Sequence, residues 1–227
     1  MNPITRRTFL ENSAKTGIAA TGIMALSTAS NARAANDKIV VGVMGVGGRG
    51  SWLCRAFARM PNVEVAYLSD PDARRLDTPA KQIEEEHGKR PKTTQDFREM
   101  LSDPAVDAVV NATPDHWHAL GTILACQAGK HVYCEKPASH SLWEGRKMVE
   151  AARKYNRVVQ LGTQTRSAPY AQHAAARLAA GELGDIHYIK VFNMKTRPEL
   201  APQPDGPVPE GLNYDLWLGP APLRPYN

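Results

Sequence analysis

The chain has 227 residues, 42% of them apolar and 22% charged, with a formal net charge of +5. Residues 1–34 hold Arg6, Arg7, Lys15 and Arg33 against Glu11, a net of +3 that leaves +2 for the remainder, too little for a nucleic-acid footprint. The length allows one large domain or about one and a half ordinary ones. Cys54, Cys126 and Cys134 are odd in number, lack metal-type spacing and fall on apolar faces, so they read as buried free thiols.

The first thirty-odd residues read as a targeting segment rather than as fold. Thr5-Arg6-Arg7-Thr8-Phe9-Leu10 is a twin-arginine pattern, a mildly apolar stretch runs from Gly17 to Ala29, and Ala32-Arg33-Ala34 is an A-x-A cleavage site. The apolar run is too short, and too rich in Thr, Ser and Gly, for a transmembrane helix. A twin-arginine signal cut after Ala34 predicts a periplasmic or otherwise exported protein. The twin-arginine machinery carries proteins already folded, often around a cofactor.

The next stretch, Lys38 to Gly50, organises the chain. Ile39 to Met44 is a near-continuous apolar run, as a strand buried on both faces requires. It leads into Gly45, Gly47 and Gly50, spaced G-x-G-x-x-G, and then into a helical pattern near Ser51. In that pattern Gly45 makes the tight turn, Gly47 lets a pyrophosphate approach the backbone, and Gly50 lets helix and strand pack closely. The helix start offers N–H groups and a positive dipole end to phosphates. A second strand spans Val63 to Leu68, and Asp70 at its end lies twenty residues beyond Gly50. A carboxylate there accepts from a ribose 2′-hydroxyl and repels a 2′-phosphate, so NAD is favoured over NADP.

Strands and helices then alternate. A helix is predicted from Pro71 to about Glu86, a short strand over 90–94, a helix near Asp96 to Leu101 and a strand over 106–110. Further helices are expected over 116–128 and 142–155, with strands over 131–134 and 157–161. This rhythm argues for a doubly wound parallel sheet, a Rossmann domain over 35–162, with ligands beyond the carboxyl ends of its strands. Beyond Gly162 come a helix over 168–180, one alternating strand from Ile186 to Met194, and a run containing Pro198, Pro202, Pro204, Pro207 and Pro209. One helix and one strand cannot bury a core of their own, so 163–227 reads as the beginning of a second α/β domain.

Three strand ends converge on the nucleotide cleft. In Thr113-Pro114-Asp115-His116-Trp117-His118, Pro114 stops the strand, Asp115 is placed to cap the next helix, and His118 sits one turn in. His116 and His118 lack a third ligand at metal spacing, so no metal is expected. Glu135-Lys136-Pro137 sets an acid–lysine pair beside a rigid proline. A lysine at a nicotinamide cleft can hydrogen-bond a sugar hydroxyl and assist its deprotonation as hydride leaves. Glu135 could hold that lysine in place, though a solvated pair at a strand end has the same spacing. Gly162-Thr163-Gln164-Thr165-Arg166 supplies polar residues after the sixth strand.

In this order, Gly45-x-Gly47-x-x-Gly50, Asp70, Thr113-Pro114-Asp115-x-x-His118, Glu135-Lys136-Pro137 and the later Gly181-Glu182-Leu183-Gly184 turn resemble the glucose–fructose oxidoreductase/inositol dehydrogenase/MocA family over about Lys38 to Asn193. With its twin-arginine signal and Tyr214-Asp215-x-Trp217-Leu218-Gly219-Pro220, the chain is most similar to the exported branch. The resemblance implies an NAD(P)-dependent sugar or polyol dehydrogenase, homo-oligomeric at full length. It gives Lys136 the substrate-side catalytic role, and Gly45, Gly47, Gly50 and Asp70 the dinucleotide. Thr113, Pro114, His118 and Glu135 then line the nicotinamide half, and Arg166 faces the substrate. The family's catalytic D-x-x-x-H lies on the second domain, after the proline-rich segment. This sequence stops before such a motif, so it is expected to be C-terminally truncated and incomplete for catalysis. The rival readings are an NAD-dependent glycoside hydrolase on the same fold and a non-catalytic dinucleotide-binding fragment.

Overall fold

A computed structural model describes residues 38–192 and 201–227; residues 1–34, where the targeting segment was expected, and Pro198 lie outside the described residues. Six strands form one sheet: β1 (Ile39–Met44), β2 (Val63–Ser69), β3 (Lys92–Thr94), β4 (Ala108–Asn111), β5 (His131–Glu135) and β6 (Val159–Gly162). Their order is β3-β2-β1-β4-β5-β6 and every pairing is parallel. This is the doubly wound Rossmann order, which reverses between β1 and β4 and opens a crevice at the carboxyl ends there.

The apolar runs explain why both faces are covered. Val41, Val43, Val65, Leu68 and Val110 pack against Leu53, Cys54, Ala80 and Ile83 of α1 (Gly48–Ala58) and α2 (Asp77–His87). On the other face, Met44, Val109, Val132 and Cys134 meet α3 (Phe97–Ser102), α4 (Asp115–Gln127) and α5 (Leu142–Lys154) through Met100, Trp117, Cys126 and Met148. Strands buried on two sides cannot alternate polar and apolar residues, which is the pattern β1 shows. All three cysteines are buried and free, and burial pushes the Cys54 thiol up to about 12 and that of Cys134 up to about 11. The start of α5 is fixed by a capping box: Ser141 accepts from the Glu144 N–H, and Glu144 accepts from the Ser141 N–H at 3.0 Å.

Three local expectations are corrected. After Pro71 the chain first makes a 3₁₀ turn, Ala73–Arg75, because Asp72 accepts from the Arg74 N–H and tightens it; α2 starts only at Asp77. Pro114, not Asp115, is the N-cap of α4, without a side-chain cap, and Asp115 is its first residue. No strand forms over residues 186–192, and Met194 lies outside the described residues. Tyr188, Val191 and Phe192 stay exposed. An alternating pattern becomes a strand only when a neighbour pairs with it, and none among the described residues does.

Beyond β6, α6 (Pro169–Ala179) contributes no buried residue. Residues 206–227, containing α7 (Tyr214–Leu218), return to the crevice edge of the sheet, where Leu212 bridges to Asp72 and Gly206 to Tyr226.

Candidate functional site

The floor of the site is the turn out of β1. Gly45 has φ +79°, and a Cβ there would stand 2.8 Å from the Ala112 carbonyl oxygen. At Gly50 a Cβ would meet the Gly45 carbonyl oxygen at 1.8 Å, so only glycine lets α1 lie this close to the turn. Gly47 is the N-cap of α1 and has no side chain over the helix start. The first-turn N–H groups of α1 have no intrahelical partners, and Gly47, Gly48 and Arg49 line the crevice, a ready anion cradle.

Asp70, 6% exposed, closes one side. Its Oδ2 accepts from the Val46 N–H and its Oδ1 from the Asp72 N–H, both at 3.0 Å, which ties the acid to the glycine turn. Burial raises the Asp70 pKa, against the pull of these N–H groups and of Arg75. Two residues on, Asp72 accepts from Arg74 Nε at 2.7 Å and Nη2 at 2.8 Å, and the Arg74 guanidinium lowers the carboxyl to about 2. Arg75 reaches the same carboxylate and lies beside Gly47, where a Cβ would meet its Nη1 at 2.4 Å. Asp72, Arg74 and Arg75 were not singled out in the sequence; the signal available was the Asp-x-Arg-Arg cluster after the ribose acid.

On the opposite bank, buried Asn111 at the end of β4 holds Thr113: its Oδ1 accepts from Thr113 Oγ1 at 2.6 Å, while its Nδ2 donates to the His118 carbonyl. His118 is 1% exposed. Its Nδ1 lies 2.5 Å from the Pro137 carbonyl oxygen and its Nε2 2.8 Å from that of Thr113, so the ring pins two crevice loops together. Glu135, 3% exposed, accepts from Arg49 Nε at 2.9 Å and forms an ion pair with its Nη2 at 2.8 Å. It holds Lys136 only through the backbone N–H, at 3.3 Å, so it is not a solvated partner of the ammonium. Lys136 is exposed, and the Lys136–Pro137 peptide is cis.

Gly45, Gly47, Asp70, Thr113 and Pro114 line one cavity of about 470 Å³. Gly50 shapes its floor from beneath, and His118 and Glu135 support it from inside the fold. Lys136 and Arg166 are not among its walls; Arg166 is exposed on the 3₁₀ turn Gln164–Ser167 after β6. Arg49 is a lining residue that the sequence reading passed over, and Trp117, which packs in the core at 9% exposure, also lines the cavity. The cradle fits a dinucleotide: side-chain-free glycines and unpaired helix N–H groups suit a pyrophosphate, and the carboxylate beside them suits ribose hydroxyls.

A family model for the GFO/IDH/MocA oxidoreductases, described as an oxidoreductase family with an NAD-binding Rossmann fold, matches residues 39–163. The scyllo-inositol 2-dehydrogenase (NAD(+)) of Bacillus subtilis (strain 168) is 32% identical over 161 residues, covering 70% of this chain and 45% of that protein. A glycosyl hydrolase family 109 protein of Saccharopolyspora erythraea is 30% identical over 176 residues, 69% of this chain and 38% of its own length. The crystal structure of an NAD binding oxidoreductase from Klebsiella pneumoniae superposes with a TM-score of 0.56 at 28% identity, over 65% of this chain and 40% of that one. The match thus spans less than half the length of each relative. Family model, strand order and glycine cradle agree, and the chain belongs to the glucose–fructose oxidoreductase/inositol dehydrogenase/MocA family with its NAD-binding Rossmann fold.

Proposed function

We propose that the protein is an NAD-dependent oxidoreductase of a sugar or polyol. The observation that carries this reading is Lys136, an exposed amine on a loop whose two neighbours are fixed, Glu135 by Arg49 and Pro137 by His118. The bound dinucleotide supplies hydride transfer at its nicotinamide. Gly45, Gly47 and the start of α1 hold its pyrophosphate, and Asp70 holds a ribose. Lys136 hydrogen-bonds the substrate hydroxyl and carries its proton, and Arg166 orients the substrate from beyond β6.

The family relationship and the named scyllo-inositol dehydrogenase relative support a cyclitol or sugar as substrate. The greater length of the relatives supports reading residues 163–227 as the beginning of a second α/β domain. The Arg6-Arg7 pattern and Ala32-Arg33-Ala34 support export by the twin-arginine route to the periplasm.

The test uses the full-length protein. Lys136→Met is expected to lower polyol-dependent NADH formation by about 10²-fold or more. NAD affinity should stay within about twofold, because Lys136 stands outside the cavity. Unchanged turnover would remove Lys136 from the chemistry. The glycosyl hydrolase relative favours a second reading, in which the same dinucleotide is reduced and reoxidised within one turnover. Glycoside cleavage without net NADH would establish that one instead.

A further inference from the structure

The cavity has a floor from the Rossmann turn and a roof from a distant stretch of sequence. Leu212, Tyr214, Leu216, Trp217, Arg224 and Tyr226 all line it, although they lie far beyond β6. On one bank the Ala73 N–H donates to the Gly211 carbonyl and the Asn213 N–H to the Pro71 carbonyl, both at 2.9 Å. Gln95 Nε2 adds a bond to the Gly211 carbonyl at 2.9 Å. On the other bank, Trp117 Nε1 donates to the Leu216 carbonyl at 2.9 Å, and His116 Nε2 lies 2.9 Å from that of Trp217. The first bank follows β2 and β3, and the second opens α4 after β4, so the segment crosses the crevice rather than lying along one side.

Its own sequence suits that path. Asn213 caps α7 by accepting from the Leu216 N–H at 3.1 Å, and Leu218 is buried at 4% exposure. Gly219 follows with φ +51°, where a Cβ would stand 2.1 Å from Trp117 Cζ2, so only a residue without a side chain seats the segment on the indole. Tyr214 and Trp217 stack at 5.9 Å with an 18° interplanar angle. The roofed cavity reaches from Asp70 to Thr113 and Pro114 and excludes Lys136 and Arg166, and the segment's bonds to Pro71, Ala73 and Gln95 set its roof against the bank that follows the ribose acid.

We infer that residues 206–227 are a strap that forms the adenosine subsite of the dinucleotide pocket and retains the cofactor by closing it. The inference rests on the NAD reading of the glycine cradle. Tyr214 and Trp217 supply ring faces for an adenine, since base–aromatic contact is worth a measurable share of nucleotide affinity. Both banks must release the strap before that half of the ligand can leave.

Binding of ADP-ribose, NAD and nicotinamide mononucleotide to the full-length protein separates the possibilities by titration calorimetry and stopped-flow release. In a Tyr214→Ala/Trp217→Ala variant, ADP-ribose and NAD are expected to bind about 10-fold or more weakly and to leave faster. The mononucleotide, which lacks adenosine, should be unaffected. Equal NAD and ADP-ribose constants in wild type and variant would overturn the strap while leaving the NAD reading intact. Wild type that binds no NAD would overturn both. Should the variant not fold, hydrogen exchange on the wild type decides: ADP-ribose must slow exchange at the Ala73 and Asn213 amides, and unchanged rates would overturn the inference.

Discussion

Asp70 and Asp72 are two residues apart and answer to opposite forces. Burial raises the Asp70 pKa above its ordinary 3.8, so its ionisation costs native stability as pH rises through that value and the higher native one. Asp72 is pulled down to about 2, first by the Arg74 guanidinium. Its contribution is therefore full above 3.8 and disappears as pH falls toward about 2. Melting temperatures of wild type and Asp72→Asn, recorded from pH 2 to 5, are expected to differ at the upper end and converge at the lower. A constant gap would show that the carboxylate's charge is not what stabilises the turn. The spacing from Gly50 identified Asp70, because a ribose acid has a characteristic distance from the glycine turn. Asp72 and its two arginines carried no such spacing, since their pairing depends on a 3₁₀ turn formed after Pro71.

Between elements, the pair that matters most joins α1 to β5. Glu135 is almost wholly buried, with its side chain 4% exposed, whereas Arg49 keeps 35% of its side chain in solvent. Removing Arg49 leaves a buried carboxylate without its cation, which costs several kcal/mol in a fully buried pair. Screening at the exposed guanidinium reduces the expected loss for Arg49→Ala to about 1–3 kcal/mol. Urea unfolding of Arg49→Ala, Glu135→Gln and the double variant should show the double losing less than the sum of the singles. Simple additivity would mean the two side chains do not support one another. Nothing local announced this contact, because the partners lie 86 residues apart. The strands and helices themselves were legible: buried apolar runs marked β1, β4 and β5, and helical periods between them marked the helices. The expected Ile186–Met194 strand failed for the complementary reason. Alternation reports which side of a strand faces a core, but not whether a neighbour exists to pair with it.

Taken together, the described residues place a covered crevice at the carboxyl ends of the central strands and leave apolar surface elsewhere. Leu142 is 96% exposed, Trp143 69%, Tyr188 77% and Val191 87%. Large apolar side chains this exposed are contact sites or aggregation liabilities wherever they adjoin. The 227-residue polypeptide is accordingly expected to bind an apolar-surface dye and to scatter light increasingly with concentration. Tyr188→Ser with Val191→Ser should reduce both signals, and unchanged scattering would locate the sticky surface away from this segment. The doubly wound architecture followed from the alternation of apolar runs and helical periods. The covering of the crevice did not, since the proline-rich stretch before it has no period from which a return path can be read.

The crossing of the crevice by residues 206–227 also sets an order of events during synthesis. A ribosome delivers the chain from its N-terminus, and domains fold as their residues emerge. The glycine turn, Asp70 and Thr113 are available early, while the side chains that cover them emerge near Asn227. A nascent chain therefore presents an open nucleotide platform well before it has an enclosure. On the strap proposal, cofactor loading is easiest in that interval, before residues 206–227 are in place.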